Sequence, residues 1–108
     1  MAQDSLQLPS GAQAQLYEVI GQGTAEVRLR YVSAGFDPRG ADTELLLADM
    51  TFICETNVLE GASQYDTPQN VIVSLADRPS EFGVLNTEVQ QIFEAFSVDD
   101  NTCIWEAF

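Results

Sequence analysis

The acidic side chains are the residues of this sequence that could carry acid–base chemistry. Asp49 and Glu55 lie six residues apart, and Glu94 is followed by Asp99 and Asp100. Two carboxylates with different pKa values can act as a general acid and a general base. With 17 acidic residues among 108, however, such neighbours are expected by chance. We therefore predict no catalytic residue and no enzyme, with a small carboxylate-dependent hydrolase or lyase as the alternative.

Several classes of chemistry are excluded by the side chains that the sequence lacks. Its basic residues are four arginines, and it contains neither lysine nor histidine. Without histidine there is no base for a Ser–His or Cys–His nucleophile pair. Without lysine there is no Schiff base and no P-loop. Two cysteines alone do not make a zinc site, so we expect neither a metal nor a cofactor.

Two short motifs resemble ligand-binding loops but lack some of the residues that those loops require. Gly21-Gln22-Gly23 lacks the third glycine and the following helix of a dinucleotide-binding loop. Residues 99–101, Asp-Asp-Asn, could contact calcium, but the ligand spacing of an EF-hand loop is missing. We interpret the first motif as a hairpin connection and the second as a turn.

The net charge of −13 limits the partners that the chain can bind. Binding to a phosphate backbone requires clustered Lys and Arg, so nucleic acid is excluded. The same negative field disfavours an anionic membrane surface. An acidic surface favours solubility, and the alternative is a surface that binds a cation or a basic partner. The partner that we expect is an unidentified protein or a second copy of the chain.

The two cysteines, Cys54 and Cys103, bear on the compartment of the protein. An even number of cysteines in a small exported domain is expected to pair. The polar residues 2–11, AQDSLQLPSG, are typical of the start of a protein after removal of a signal peptide. We therefore predict a periplasmic or secreted protein with a Cys54–Cys103 disulfide. The alternative is a cytoplasmic protein with two reduced thiols.

A long helix is predicted at residues 42–60, and the rest of the domain should pack on it. Apolar residues recur along it at close to helical spacing, namely Leu46, Met50, Ile53 and Val58. Asp42 or Thr43 can cap its start, where a side-chain oxygen accepts free N–H groups. Cys54 lies on or beside the apolar face of this helix.

Strands are predicted at residues 15–20, 24–33, 71–75 and 103–108. In the second of these, apolar and charged residues alternate, which indicates one covered face and one wetter face. A second, shorter helix is predicted from Thr87 to Phe96. Thr87 and Gln90 fit a capping box, and apolar residues follow at helical spacing, namely Val89, Ile92, Phe93 and Phe96.

The predicted order of elements is β-β-α-β-α-β, which indicates the α/β (α+β) class. Because β-α-β connections are right-handed, both helices should lie on one face of a mixed four-stranded sheet. This arrangement is a two-layer sandwich. Residues 15–108 are predicted to form a single domain. Residues 1–14 are predicted to form a flexible N-terminal segment.

Several short motifs carry a resemblance to a known family: CET at 54–56, SLADRP at 74–79, the Phe93 and Phe96 pair, and CIWEAF at 103–108. Over about residues 24–108 the chain resembles a family of small uncharacterised alphaproteobacterial proteins, some labelled acetolactate synthase. Enzymes of that name resemble large thiamine-diphosphate and flavin proteins, and this chain has neither their length nor a diphosphate-binding pattern. The resemblance implies an exported protein and adds no catalytic residue.

Asp77 and Arg78 form a candidate ligand contact just beyond the predicted central strand, 71–75. Ligands of open α/β sheets often bind at such strand ends, and Arg78 could grip a carboxylate. The alternative is an arginine that pairs with neighbouring acids to close a turn. Trp105, the sole tryptophan, is expected to lie mostly buried between the sheet and the helices.

A candidate interaction surface lies on the open face of the predicted sheet. If Cys103 faces the helices, strand alternation assigns to this face Arg28, Arg30, Ile104, Glu106 and Phe108. A surface that mixes charges with large apolar groups is typical of an interface, and two such faces could meet around a two-fold axis. The alternative is that the N-terminal segment covers Phe108. We therefore predict a non-enzymatic periplasmic binding or protein-interaction domain.

Overall fold

The computed structural model describes residues 5–40, 42–61, 68–84 and 87–106. Within these residues the chain forms six β-strands, one α-helix and one short 3₁₀ turn. The strands are β1 (Ser5–Gln7), β2 (Gln13–Ile20), β3 (Glu26–Val32), β4 (Asn70–Ala76), β5 (Gln91–Asp99) and β6 (Thr102–Glu106). The helix α1 spans Thr43–Gly61, and the 3₁₀ turn spans Pro38–Gly40. No helix in this part of the chain is long and apolar enough to cross a membrane.

The strands form a mixed sheet whose spatial order follows the chain, from β1 at one edge to β6 at the other. Neighbouring strands are antiparallel except β3 and β4, which are parallel and are connected through α1. The sheet curls into a half-barrel. The predicted sandwich of a four-stranded sheet and two helices is therefore wrong, although the fold remains of the α+β type.

Asp42, one of the two caps that the sequence allows, caps the helix α1. Its Oδ1 accepts the N–H groups of Glu44 at 2.9 Å and of Leu45 at 3.2 Å, which satisfies two free donors at the helix start. The buried residues of the helix are Met50, Ile53, Cys54 and Val58. They share a hydrophobic core with Leu29, Val71, Val73, Leu75 and Phe96 of the sheet. The predicted long helix and its apolar face are confirmed.

The predicted second helix is wrong, because Gln91–Asp99 forms strand β5 between β4 and β6. Phe93 and Phe96 fit a helical stripe in the sequence, but they point to opposite faces of the strand. Phe96 is buried in the core, whereas Phe93 is 67% exposed. The segment is rich in aromatic and β-branched residues, and it pairs along its length with β4. The predicted capping box at Thr87 and Gln90 does not start a helix, and the N–H of Gln90 is donated to Oδ1 of Asp77.

The N-terminal segment takes part in the sheet, beginning at Ser5. Strand β1 pairs with β2, and Leu8 is buried in the core. Ser10 donates its N–H and its hydroxyl to the carboxylate of Asp49 on α1, at 3.0 and 2.6 Å. Strand β1 occupies the sheet edge opposite β6. The flexibility of segment 1–14 stays a prediction, and residues 1–4 lie outside the described residues.

Two predicted turns are confirmed, and backbone geometry explains their sequences. Gly21, in the connection from β2 to β3, has φ +83°, and a Cβ there would lie 2.5 Å from the carbonyl oxygen of Glu26. Asp100 and Asn101 connect β5 to β6 with φ values of 54° and 61°. Positive φ at both central residues defines a type I′ hairpin turn, and Asp and Asn tolerate this conformation better than most residues.

A disulfide bond joins Cys54 to Cys103, as the sequence predicts, with Cα atoms 6.3 Å apart. It ties the middle of α1 to the edge strand β6. The adjacent Glu55 reinforces this connection, because its Oε2 accepts the N–H of Cys103 at 3.2 Å. The helix is therefore fixed to the far end of the sheet by one covalent bond and one hydrogen bond.

We expect the unreduced protein, unfolded in denaturant, to show no thiol that reacts with a maleimide, and two after reduction. Replacing Cys54 and Cys103 with alanine should lower the free energy of unfolding by about 4 kcal/mol, the loop-closure value for a separation of 49 residues. Urea denaturation of the two forms measures this difference. Two reactive thiols before reduction would contradict the disulfide and favour the cytoplasmic alternative.

Candidate functional site

The face of the sheet opposite α1, here called the outer face, carries the arginines of β3. Strand alternation directs Leu29 and Tyr31 into the core, so Arg28 and Arg30 project to the outer face. Cross-strand pairing extends each arginine into a row of side chains. These rows are Arg30–Ser74–Phe93 and Arg28–Ile72–Ala95–Glu106.

A bulge in β2 adds an aromatic ring beside these rows. The register between β2 and β3 shifts between Leu16 and Glu18, which leaves Tyr17 as the extra residue. The Tyr17 ring centroid lies 4.9 Å from Cζ of Arg30. Its hydroxyl donates to the carbonyl oxygen of Ser80 at 3.1 Å. The bulge therefore places a side chain that holds the loop after β4 against the outer face.

Arg30 is buried beneath this loop, at 4% exposure, and its charge is paired. Its Nη1 forms an ion pair with Oε1 of Glu18. Its Nη2 donates to the carbonyl oxygen of Ser80 at 3.0 Å and lies 3.3 Å from the Ser80 hydroxyl. The guanidinium also lies 5.4 Å from the ring centroid of Phe82. Arg30 thus anchors loop residues 80–82 over β3.

Between the loop and strands β3 to β5 lies an open cleft of about 550 Å³, which we call the arginine–aromatic cleft. This volume lies within the range of ligand-binding pockets. The side chains that characterise the cleft are Arg28, Ser74, Phe82, Val84 and Phe93. Phe82, Val84 and Phe93 are each at least half exposed, so the cleft is a solvent-accessible apolar surface with a cation and a hydroxyl at its base.

Arg28 is the arginine of this cleft that has no ion pair with any described residue. Its neighbours across the strands are Ile20 and Ile72, whereas Arg30 faces a glutamate. Its Cζ lies 5.0 Å from the ring centroid of Phe82 and 5.9 Å from that of Phe93. A guanidinium held on aromatic faces keeps the donors at its edge available. The cleft can therefore receive a hydrogen-bond acceptor that carries negative charge.

Asp77 and Arg78, the predicted ligand contact, form an ion pair with each other at 3.1 Å. Asp77 also closes the base of the loop. It donates its N–H to the carbonyl oxygen of Gln90 at 2.9 Å and accepts the Gln90 N–H on Oδ1 at 3.1 Å. This is the alternative that the sequence left open, an arginine paired with a neighbouring acid at a turn. Neither side chain belongs to the cleft lining, and a ligand contact there stays a prediction.

The described members of the candidate interaction surface share the outer face but differ in accessibility. Ile104 and Glu106 are exposed on β6, three strands from Arg28. Arg28 is half-buried, and Arg30 is too buried beneath the loop to contact a partner directly. Phe108 lies outside the described residues. The interaction surface as a whole stays a prediction.

The carboxylates of α1 that could carry acid–base chemistry are each bound by a different segment. Asp49 accepts two hydrogen bonds from Ser10, and Glu55 accepts one from Cys103. Both residues lie on the side of the sheet away from the cleft. Within residues 5–40, 42–61, 68–84 and 87–106, no three Cys, Asp or Glu residues are grouped so as to hold a metal ion.

The third predicted carboxylate, Glu94, is bound by the indole of Trp105, whose Nε1 donates to Oε1 at 2.8 Å. Trp105 is 45% exposed, so the expectation of a mostly buried tryptophan is wrong. The reason is its position on the edge strand β6, which has a neighbouring strand on one side only in the described sheet. Asp99 lies five residues from Glu94, about 16 Å along β5, so the two carboxylates cannot act on one bond.

The cleft itself was not apparent in the sequence. Its walls come from Phe82, in a loop, and from Phe93, for which the sequence pattern predicts a helix. The available signal was the alternation in residues 91–99, QIFEAFSVD, where Phe93 shares a face with Ala95 and Ser97 and not with Phe96. The bulge at Tyr17 had no comparable signal.

The model of one protein family, described as "Family of unknown function (DUF6497)", matches residues 1–108 of the chain. No curated protein and no solved structure matches the chain. The family description names no activity.

The two arginines of β3 offer a matched pair of stability measurements. Replacing Arg30 with methionine should lower the free energy of unfolding by about 2 kcal/mol, because an ion pair and the hydrogen bonds to Ser80 are lost. Replacing Arg28 with methionine should cost less than about 1 kcal/mol, since methionine keeps the contact with the rings. Urea denaturation measures both. If the two variants lost the same free energy of unfolding, the buried, paired state of Arg30 and the unpaired state of Arg28 among the described residues would be contradicted.

The hydrogen bond from Arg78 holds the pKa of Asp77 below its ordinary value. Because the folded pKa is lowered, the ionised carboxylate stabilises the loop at and above about pH 4. That contribution is lost as the pH falls through the lowered pKa. A ¹³C NMR titration should show the low pKa, and Arg78→Gln should raise it.

The control for this titration is Arg39→Gln. The hydrogen bond from Arg39 holds the pKa of Asp37 below its ordinary value in the same way. The Arg39 variant should therefore raise the pKa of Asp37 and leave that of Asp77 unchanged. A pKa of Asp77 that does not respond to Arg78→Gln would show that the ion pair does not form in solution.

Proposed function

The chain belongs to the Family of unknown function (DUF6497), and we propose that it is a non-enzymatic binding domain that acts outside the cytoplasm. Its binding site is the arginine–aromatic cleft. Its partner is another protein, which inserts an extended segment between the loop at 80–84 and the outer face of the sheet.

The observation that carries this proposal is the state of Arg28. Its guanidinium contacts Phe82 and Phe93 and has no carboxylate partner in the described part of the chain. Arginine and aromatic residues are enriched where alanine substitution weakens binding most. An arginine already held against two rings loses little conformational entropy on binding, which favours affinity.

The exposed apolar side chains support a protein partner. Phe93 is 67% exposed, and Phe82 and Val84 are about half exposed around the same cleft. A contiguous apolar patch with a polar rim is typical of an interaction site. The outer face continues from Phe93 past Ala95 towards Ile104, so a bound segment can extend beyond the cleft.

The disulfide supports the proposed location. Cysteines remain reduced in most cytosolic proteins, whereas disulfides persist in the periplasm and outside the cell. Cys54 and Cys103 are bonded in this structure. A carboxylate-dependent enzyme has less support, because Asp49 and Glu55 are each bound by a backbone or side-chain donor away from the cleft.

The test is a pull-down from a cell-envelope extract of the source organism with the wild-type domain and two surface variants. Phe93→Ser removes an exposed aromatic ring of the cleft. Leu59→Ser is the matched control, because Leu59 is 61% exposed on α1, on the other side of the sheet. We expect a protein that is retained by wild type and Leu59→Ser and lost with Phe93→Ser, at nearly unchanged melting temperatures.

Two outcomes would contradict the proposal. If Leu59→Ser loses the same protein, retention does not depend on the cleft. If no protein is retained specifically, and light scattering shows no self-association of the wild-type domain that Phe93→Ser abolishes, the cleft does not bind protein.

A further inference from the structure

We propose that the cleft recognises the C-terminal residue of its protein partner. Arg28 and Ser74 bind the terminal carboxylate, and Phe82, Val84 and Phe93 surround an apolar side chain on that residue. This inference rests on the proposed function, since it names the part of the partner that enters the cleft.

Ser74 supplies the second polar group of the site. It projects from β4 to the outer face between Arg30 and Phe93, and it lines the cleft. The residue is 8% exposed, and its hydroxyl makes no hydrogen bond to any residue that the structure describes. No buried side-chain oxygen or nitrogen in this part of the chain lacks a partner, so this hydroxyl is open to the water of the cleft. A hydroxyl that faces the water of an open cleft can instead donate its hydrogen bond to a ligand oxygen.

Arg28 and Ser74 are close enough to bind one carboxylate together. Arg28 pairs with Ile72 across β3 and β4, and Ser74 lies two residues further along β4. This offset places their Cα atoms about 8 Å apart, within reach of the long arginine side chain. The guanidinium can donate to one carboxylate oxygen while the hydroxyl donates to the other, and bonds to a charged acceptor are the stronger kind.

The charge of the chain favours a carboxylate over a phosphate. With net charge −13, the chain repels a dianion about twice as strongly as a monoanion. Glu81 also lines the cleft and would add to that repulsion. Arg28 is the one cleft cation without an ion pair among the described residues, and a single arginine matches a single negative charge.

The apolar walls select what is attached to the carboxylate. Phe82, Val84 and Phe93 are exposed in the unbound domain, so a bound apolar side chain would remove their surfaces from water. A C-terminal phenylalanine or leucine supplies both the carboxylate and such a side chain. The preceding residues of the partner can then follow the outer face.

The probe is the N-acetylated peptide Gly-Ser-Gly-Ala-Phe as the free acid, compared with its C-terminal amide by titration calorimetry on the wild-type domain. We expect the acid to bind at least about tenfold more tightly than the amide. Arg28→Gln should weaken binding of the acid by about tenfold or more, and Ser74→Ala should weaken it by a smaller factor. Neither variant should change binding of the amide.

The control variant is Arg39→Gln, which removes an exposed arginine that is paired with Asp37 and lies outside the cleft. It should bind the acid like wild type. Melting temperatures of all variants identify any that fails to fold. Should Arg28→Gln or Ser74→Ala unfold, chemical-shift changes on the wild-type domain show whether the acid binds at the cleft.

The inference is wrong if acid and amide bind equally, if neither binds, or if 3-phenylpropionate binds as tightly as the peptide acid. The last result would assign the site to a free small acid. Failure of this inference can be distinguished from failure of the proposed function. If a protein is lost with Phe93→Ser but still retained by Arg28→Gln, the cleft binds protein without recognising a carboxylate. That result would support the proposed function and exclude this inference.

Discussion

Burial of the apolar face of the sheet against α1 is the constraint on which the rest of the structure depends. A helix is about 10 Å wide, and strands lie about 4.8 Å apart, so a helix covers about two strands of a flat sheet. Yet Leu8, beside one edge, and Cys103, at the other, share one core with α1. The sheet must therefore curl around the helix. This curvature turns the outer face into a convex surface that a flat second layer would cover poorly.

On that convex surface, two arginines two residues apart have opposite environments. The bulge at Tyr17 sets Glu18 opposite Arg30, and the loop after β4 then covers the pair. Arg28, in contrast, has isoleucines on both sides and phenylalanines above it. In a chain with 17 acidic residues, apolar neighbours are what keep a cation free of an internal carboxylate. These hydrophobic neighbours thus leave the charge of Arg28 without a carboxylate partner among the described residues.

The features that could be predicted from the sequence are those that a segment's own residues determine. Asp42 caps α1 because a carboxylate before an apolar repeat satisfies free N–H groups. Residues 24–33 alternate strictly, and most of them form β3. The pairing of Cys54 with Cys103 followed from their number. Each of these features depends on a short stretch of chain or on composition.

The features that could not be predicted depend on long-range pairing. Residues 91–96 have apolar residues at helical spacing, yet pairing with β4 and β6 makes them part of a strand. The bulge at Tyr17 appears only when β2 is aligned with β3. Because the cleft combines this bulge, the strand β5 and a loop, its recognition required the whole fold. Arg28 and Ser74 became neighbours only through the parallel pairing of β3 and β4.

The hydrogen bond between Glu55 and Cys103 has a consequence for how copies of the protein behave in a crowded solution. Strand β6 ends the sheet, and the free backbone groups of an edge strand can template the addition of a strand from another molecule. The N–H of Cys103 is already donated to Glu55 and not available to an incoming strand. The disulfide keeps β6 from separating and re-pairing elsewhere. A single carboxylate on the helix thereby removes one of the backbone donors through which the edge of the sheet could pair with another molecule.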